Sequence, residues 1–442
     1  MDWHAAVMSC TPMKCLQSVA TGLAVLLPHL LSAADAPALS ETGKAHPALQ
    51  SFDTLMRRFL RENAIPGGAL AVAKDGRLVY ARGFGLADVE RRESVQPDSL
   101  FRIASISKPI TAVAILRLVD RGIVKLDEPV FSASPKGFQL PLGDPADSRL
   151  SKVTVRHLLQ HRGGWDRDVS IDSMFHSVTI AHALGSKPPA GAQDVVRFMM
   201  GWQLDHDPGA RYAYSNFGYC VLGRVIERAT GKGYAEHVRE DVLRPLGITA
   251  PIIGRTLAQH KAKGEVRYYT PGNQTGVAVM GERIGAQVPQ PYGTWHLEAM
   301  DSHGGWIASA KDLVRLGVAV AEPKKSKLLS AESAAAMFAR SEGLAGHDEA
   351  GKPKPVYYGL GWQVRPVGDS GQANRWHNGL LAGTSTLLVL RHDGLCWAAL
   401  FNTHRTSSGP PPASVIDPLL HQAADAVRDW PAIDLFGEGK PR

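Results

Sequence analysis

Between residues 46 and 64 the apolar positions Leu49, Phe52, Leu55, Met56, Phe59 and Leu60 recur at helical spacing. That period predicts an amphipathic helix, ended by Ile65-Pro66-Gly67. GALAVAKDGRLVYARGFG follows and predicts a β-hairpin turned at Asp75-Gly76. Next comes the apolar helix PITAVAILRLVDRG, closed by Gly122. From 123 to 299 the pattern breaks into short helices and long loops rich in proline and glycine. FGYCVLGRVIERATGKG reads as a helix capped at Gly231, and AEHVREDVLRPLG as another broken at Pro245. Residues 250–300 are loop-rich, with EVRYYTPG as a strand and turn. Beyond 300 regularity returns. Ser309-Ala310-Lys311-Asp312 is a capping box opening KDLVRLGVAVAE. YYGLGWQVRP, NRWHNGLLAG, TSTLLVLRHDG and LCWAALFNT read as successive strands, and SVIDPLLHQAADAVRDW as a closing helix.

Strands near both ends and helices between them predict an α/β fold of the α+β type. One antiparallel sheet flanked by helices is built from residues 35–122 and 300–442, and 123–299 form an inserted, mainly helical domain. The boundary between the two is where a cleft is expected.

Composition changes little in that picture. The 442 residues are 44% hydrophobic and 21% charged, the balance of a globular chain. The net charge of +7 comes without a dense Lys/Arg run, so no nucleic-acid partner is expected, and no obligatory protein partner either. At the N-terminus Lys14 precedes the apolar run LQSVATGLAVLLPHLL, and Ser32-Ala33-Ala34 offers a small-residue cleavage site. Residues 1–34 therefore read as a signal peptide of a secreted, periplasmic protein, with an uncleaved anchor as the rival reading. Of four cysteines, Cys10 and Cys15 leave with that segment. Cys220 and Cys396 sit in apolar runs and read as buried free thiols.

Three short stretches carry candidate chemistry. In FRIASISKPIT, Pro109 lacks an N–H, so the helix starts within a turn before it. That puts Ser105 at the helix start and Lys108, three residues on, on the same face. Backbone N–H groups there stabilise a developing anion, and a buried lysine loses proton affinity and serves as a base. A serine nucleophile needs such a neighbour. The bland alternative is a serine cap beside a solvated lysine. The second stretch is Tyr214-Ser215-Asn216 at another helix start. There a phenol near a lysine ionises more easily and moves a proton, and an amide both donates and accepts. The alternative makes Asn216 the helix cap and Tyr214 core. The third is His377-Asn378-Gly379-Leu380, in which a strand runs into a glycine that lets a substrate backbone come close. His161, in a loop after a helix, and His303, before a capping box, also precede a glycine two residues on but lack that strand context. No cofactor is expected. His157 and His161 stand four apart, but without HExxH they make a poor zinc pair, and no metal site is assigned.

In order, Ser105-x-x-Lys108, Tyr214-x-Asn216 and His377-x-Gly379 resemble the serine β-lactamase and penicillin-binding-protein superfamily. The resemblance is nearest its class C-like branch of D-Ala-D-Ala carboxypeptidases, D-aminopeptidases and esterases. IPGGALAVAKDG, VRHLLQHRGGW, GGWIASAKDLVR and YGLGW resemble family segments too. The resemblance implies a β-lactamase/transpeptidase-like fold and a Ser105 acyl-enzyme. It makes Lys108 and Tyr214 the proton-transfer pair. Asn216, His377, Asn378 and Gly379 become substrate-binding residues, with the backbone N–H groups of Ser105 and Leu380 as the oxyanion hole. Many β-lactamases carry Lys-Thr-Gly or Lys-Ser-Gly where this chain has His377-Asn378-Gly379. A histidine is only partly charged at neutral pH. The small-molecule or peptide substrate thus stays open between a β-lactam, a D-amino-acid peptide and a carboxylic ester. A non-catalytic binding or scaffold protein is the alternative function.

Overall fold

The computed structural model describes residues 39–369 and 371–437. The signal-peptide reading of 1–34 lies outside the described residues, as do Cys10, Cys15 and Ser370.

The N-terminal part supplies strands β1 (Glu41–Thr42), β2 (Gly67–Lys74), β3 (Arg77–Asp88) and β4 (Glu93–Ser94). The middle supplies short strands: β5 (Phe101–Arg102), β6 (Phe131–Ser132), β7 (Leu140–Pro141), β8 (Ile252–Ile253), β9 (Thr275–Val277), β10 (Gln287–Pro289) and β11 (Trp306–Ala308). The C-terminal part supplies β12 (Tyr357–Tyr358), β13 (Gln363–Val367), β14 (Gln372–Leu381), β15 (Thr384–Leu390) and β16 (Leu395–Phe401). The main sheet runs β1-β3-β2-β16-β15-β14-β13-β12, with β4 on β3, so the two ends of the chain meet where β2 pairs with β16. All its pairings are antiparallel. Asp75 and Gly76 both take positive φ, 50° and 81°, which matches the turn to the twist of the β2–β3 hairpin.

Eleven α-helices are present among the described residues. They are α1 (Gln50–Glu62), α2 (Ser107–Asp120), α3 (Val155–Leu159), α4 (Ser177–Ala183), α5 (Ala192–Met200), α6 (Asn216–Thr230), α7 (Tyr234–Val238), α8 (Ala310–Ala321), α9 (Pro323–Ser326), α10 (Ala331–Phe338) and α11 (Pro412–Asp425). The strand period of two divides the sheet's side chains between two cores. Leu70, Val72, Val389, Trp397 and Phe401 pack with α1 and α11. Ala69, Ala71, Leu388, Cys396 and Ala398 turn to the other face, against α8. The small residues on that face admit α8 closely, and a Cβ on Gly317 would lie 2.7 Å from Cys396 Sγ. Cys220 and Cys396 are both buried free thiols, and burial pushes the Cys220 thiol up to about 12.

Two elements differ from the sequence expectation. EVRYYTPG is not a strand: it makes only isolated bridges, Glu265 to Leu100 and Tyr269 to Thr403. Its side chains instead clasp the segment before Ser105. YYGLGWQVRP is two strands rather than one, interrupted at residues 359–362.

Candidate active site

Ser105 lies in a 3-10 turn, Ala104–Ile106, that runs directly into α2. Ala104 holds φ +46° while almost fully buried, a strained conformation for a residue with a Cβ. The surroundings enforce it. Ile103 N–H donates to Trp306 O (3.0 Å), and Thr386 Oγ1 donates to Ile103 O (3.0 Å). Ile103 O also comes so near β14 that a Cβ on Gly379 would lie 2.1 Å from it. The glycine of His-x-Gly thus admits the protein's own backbone, where sequence reasoning had assigned that space to substrate. β13 pairs with β14 only as far as Trp376, so 377–381 form an open edge beside the Ser105 turn.

Lys108 is fully buried one helical turn from Ser105. Its Nζ stands 3.1 Å from Ser105 Oγ, 2.8 Å from Asn216 Oδ1 and 3.0 Å from His303 O. Burial holds the amine well below the ordinary lysine value; the nearby Asp172 charge opposes the shift and the Arg167 charge adds to it. A neutral amine has two N–H donors and one lone pair. Asn216 Oδ1 and the His303 carbonyl only accept, so they take the two protons and leave the lone pair for the Ser105 hydroxyl. Tyr214 Oη donates to Ser105 Oγ at 2.9 Å. Burial raises the Tyr214 phenol, outweighing the lowering effect of the Ser105 bond. This corrects the expectation of an easily ionised phenol: Lys108 loses proton affinity and Tyr214 keeps its proton.

Asn216 is not the cap of α6. Ser215 Oγ caps it by accepting from Gly218 N–H (3.1 Å), which frees the Asn216 amide. That amide donates through Nδ2 to Asp172 Oδ2 (2.6 Å) and accepts from Lys108. Asp172 also faces Arg167 at 3.7 Å, and the Arg167 guanidinium lies 4.5 Å over the Tyr214 ring.

His377 is almost completely buried, and burial above all takes it down to about 3, with any proton on Lys108 acting in the same direction. Its Nδ1–H donates to Asn378 O (2.7 Å), and Nε2 accepts from Tyr358 Oη (2.8 Å). The expected partial charge is therefore absent: the ring is neutral and shielded by Tyr358. Asn378 pairs with Leu387, which belongs to the α1/α11 core, whereas His377 pairs with Leu388 on the Ser105 side. The Asn378 side chain thus lies on the sheet face opposite Ser105, so its substrate-binding assignment does not hold for the side chain. Leu380, beyond it, is 44% exposed.

Four residues that the sequence left out belong to the site. His303 gives its carbonyl to Lys108. Asp172 orients Asn216. Tyr358 covers His377. His161 packs its ring against Tyr214, centroids 4.2 Å apart. Asp172 sits in none of the quoted motifs; His161 and Tyr358 lie in the family-like segments VRHLLQHRGGW and YGLGW, and His303 in a His-x-Gly match, but the role of each is defined by what it touches. His157 is committed elsewhere, closing the α3 capping box with Thr154. A separate cavity of about 750 Å³, lined by Asp88, Leu257, Arg267, Met280 and Tyr292 among others, does not include Ser105.

The Beta-lactamase family model matches residues 52–417. Esterase EstB of Burkholderia gladioli is 34% identical over 244 residues, 54% of this chain and 59% of the esterase. Protein flp of Staphylococcus aureus (strain COL) is 29% identical over 225 residues, 50% of this chain and 42% of that protein. The matched region thus spans about half the length of these curated relatives. Among solved structures, the octameric penicillin-binding protein homologue from Pyrococcus abyssi aligns with TM-score 0.61 at 26% identity, covering 85% of this chain and 77% of that one. EstCE1, a hydrolase with promiscuous acyltransferase activity, aligns with TM-score 0.65 at 22% identity over 86% of this chain and 99% of its own, a likeness of fold.

Proposed function

The chain belongs to the Beta-lactamase family, and we propose that it is a serine acyl hydrolase working through a Ser105 acyl-enzyme. The observation that carries the reading is the hydrogen-bond shell of Lys108, whose two fixed acceptors, Asn216 Oδ1 and His303 O, hold the amine against Ser105 Oγ. In the proposed reaction Lys108 takes the hydroxyl proton as Ser105 Oγ bonds to the substrate carbonyl carbon. The oxyanion meets the Ser105 and Leu380 N–H groups. The proton passes through Tyr214 Oη to the leaving group, the C–O or C–N bond breaks, and water later releases the acyl group by the same route in reverse.

We further propose that the substrate is a carboxylic ester without a carboxylate next to the scissile bond. His377 is buried and neutral, so it offers no charge for the carboxylate of a β-lactam or a peptide. The partial match to an esterase points the same way. Intact-mass spectrometry after exposure to p-nitrophenyl butyrate and to a fluorescent penicillin tests both parts. A butyryl adduct in the wild type, lost in Ser105→Ala, with little penicilloyl adduct, is the expected result. A penicilloyl adduct alone would remove the ester preference, and no adduct with either reagent would leave the binding-protein alternative.

Export is part of the proposal. It rests on the apolar run after Lys14 and on Ser32-Ala33-Ala34. N-terminal sequencing of the mature chain from the periplasmic fraction should start near residue 35, and a retained Lys14 would contradict cleavage.

A further inference from the structure

His161 meets the Tyr214 segment at three points. Its carbonyl accepts from Ala213 N–H (2.8 Å), and its Nδ1 accepts from Ser215 N–H (3.1 Å). The two neighbours of Tyr214 are thus both tied to one residue, while the imidazole packs on the Tyr214 ring at 4.2 Å and 33°. The same loop continues the ladder, with Gly209 N–H donating to Arg162 O (2.8 Å) and His206 N–H to Gly164 O (3.1 Å). The geometry is specific to this residue. Ser215 N–H can only donate, so Nδ1 is the bare nitrogen and the ring proton sits on Nε2, which is buried without a hydrogen-bond partner. His161 also holds φ +55°, a costly conformation for a residue with a Cβ. Ring contacts with Tyr358 (4.6 Å) and Tyr219 (5.1 Å) lock the imidazole plane. A histidine serving only as filling would need neither the Nδ1 bond nor the left-handed backbone.

We propose that His161 is a positioning residue for acyl transfer: its carbonyl and Nδ1 bracket Tyr214 and set the phenol at hydrogen-bond distance from Ser105 Oγ. The inference rests on the serine-hydrolase reading above. It acts through Tyr214 without touching substrate. Its loss should therefore slow acylation by misplacing the proton carrier and leave substrate binding alone. A misplacement near 1 Å costs about 100-fold in rate.

The test is rapid mixing of the full chain with p-nitrophenyl butyrate, reading the acylation burst rate and the substrate Kd. His161→Phe keeps a ring on Tyr214 and removes the Nδ1 acceptor. His161→Asn keeps an acceptor, tolerates positive φ and loses the ring. The expected result is an acylation rate about 100-fold lower for Phe at an unchanged substrate Kd, read from saturation of the burst rate, with Asn restoring it to within about 10-fold of wild type. If His161→Phe does not fold, Asn and Ala pose the same question, since both lose the ring and only Asn keeps the acceptor; Asn must then acylate faster. A folded Phe variant acylating at the wild-type rate, or an Asn variant no better than Phe or Ala, overturns the inference. Wild-type protein that forms no adduct sinks the hydrolase reading and this inference with it. An acylating wild type with an indifferent Phe variant sinks this inference alone.

Discussion

Arg102 and Lys108 flank Ser105, and both are almost completely buried, but the regions around them treat the two cations in opposite ways. Before the serine, Arg102 lies in a shell of acceptors. Its guanidinium donates to Pro291 O (2.5 Å), Arg255 O (2.7 Å) and Thr256 O (3.4 Å), faces the Glu265 carboxylate at 3.8 Å and lies 4.5 Å over the Tyr268 ring. After the serine, Lys108 has two carbonyl-type acceptors and a hydroxyl but no carboxylate in contact. Burial with no carboxylate in contact pushes the Lys108 amine well below its ordinary value, whereas Arg102 has the Glu265 carboxylate beside it. The first region is an anchor that ties the loops of 250–300 to the strand leading into Ser105. The second is a base. What separates structure from chemistry is therefore whether the shell includes a counter-charge, since burial is the same in both.

The comparison breaks most visibly if the two residues exchange character. Lys108→Arg retains a cation but cannot offer a lone pair, and turnover of p-nitrophenyl butyrate should fall by about 10³-fold, within the range of a lost general base. Steady-state kinetics on the purified variant decides it, and activity within ten-fold of wild type would remove Lys108 from the reaction. Arg102→Met leaves Glu265 buried without its counter-charge. It should cost about 3–5 kcal/mol of stability, measured by urea unfolding, with a larger effect on the fold than on kcat of the surviving native protein. A variant as stable as wild type would mean that the Arg102–Glu265 pair does not anchor this region.

A smaller effect sharpens the Lys108 half. Its value in the fold is depressed below the reference of 10.5, so the unfolded chain holds more protons between the folded value and 10.5. Stability contributed at this site should then rise with pH across that window and stay flat below it. Lys108→Met removes the dependence, so its Tm relative to wild type should fall as pH goes from 7 to 10. A difference independent of pH would mean that the lysine is charged in the fold. The smallest effect concerns His377, which titrates at about 3 and is closed off by Tyr358. KM for a neutral ester should show no histidine step between pH 5 and 8, and His377→Gln should change kcat/KM only a few-fold. A step near pH 6.5 in wild type, absent in the variant, would put a titrating imidazole back in the cleft.

Most of the fold was legible because its signals are local. The hairpin at Asp75-Gly76, the closure of α2 before Gly122, the αL cap at Gly231 and the Ser309–Asp312 capping box each follow from residues a few positions apart. The segment 250–300 was not, because its order comes from distant partners: Tyr268 Oη accepts from Arg102 N–H, and Tyr292 Oη from Tyr268 N–H. The site divides the same way. Ser105 and Lys108 are three residues apart with Pro109 fixing the helix start, so their meeting follows from sequence. The His303 carbonyl is 195 residues from Lys108, and no side chain advertises a backbone acceptor. His161 and His303 were set aside because neighbouring residues gave them loop or pre-helix contexts. Asn378 was misplaced because a motif records order along a strand while the pleat sends adjacent side chains to opposite faces.

The central claim is that Lys108 is neutral and acts as the base for Ser105. The pH dependence of single-turnover acylation by p-nitrophenyl butyrate, with the adduct mapped to its peptide, tests it most directly. The account predicts an adduct on Ser105 and a rate that has already reached its plateau well below pH 10.5, controlled by one group that disappears in Lys108→Arg. A rate that climbs with unit slope through pH 10, or an adduct on any residue other than Ser105, would contradict it.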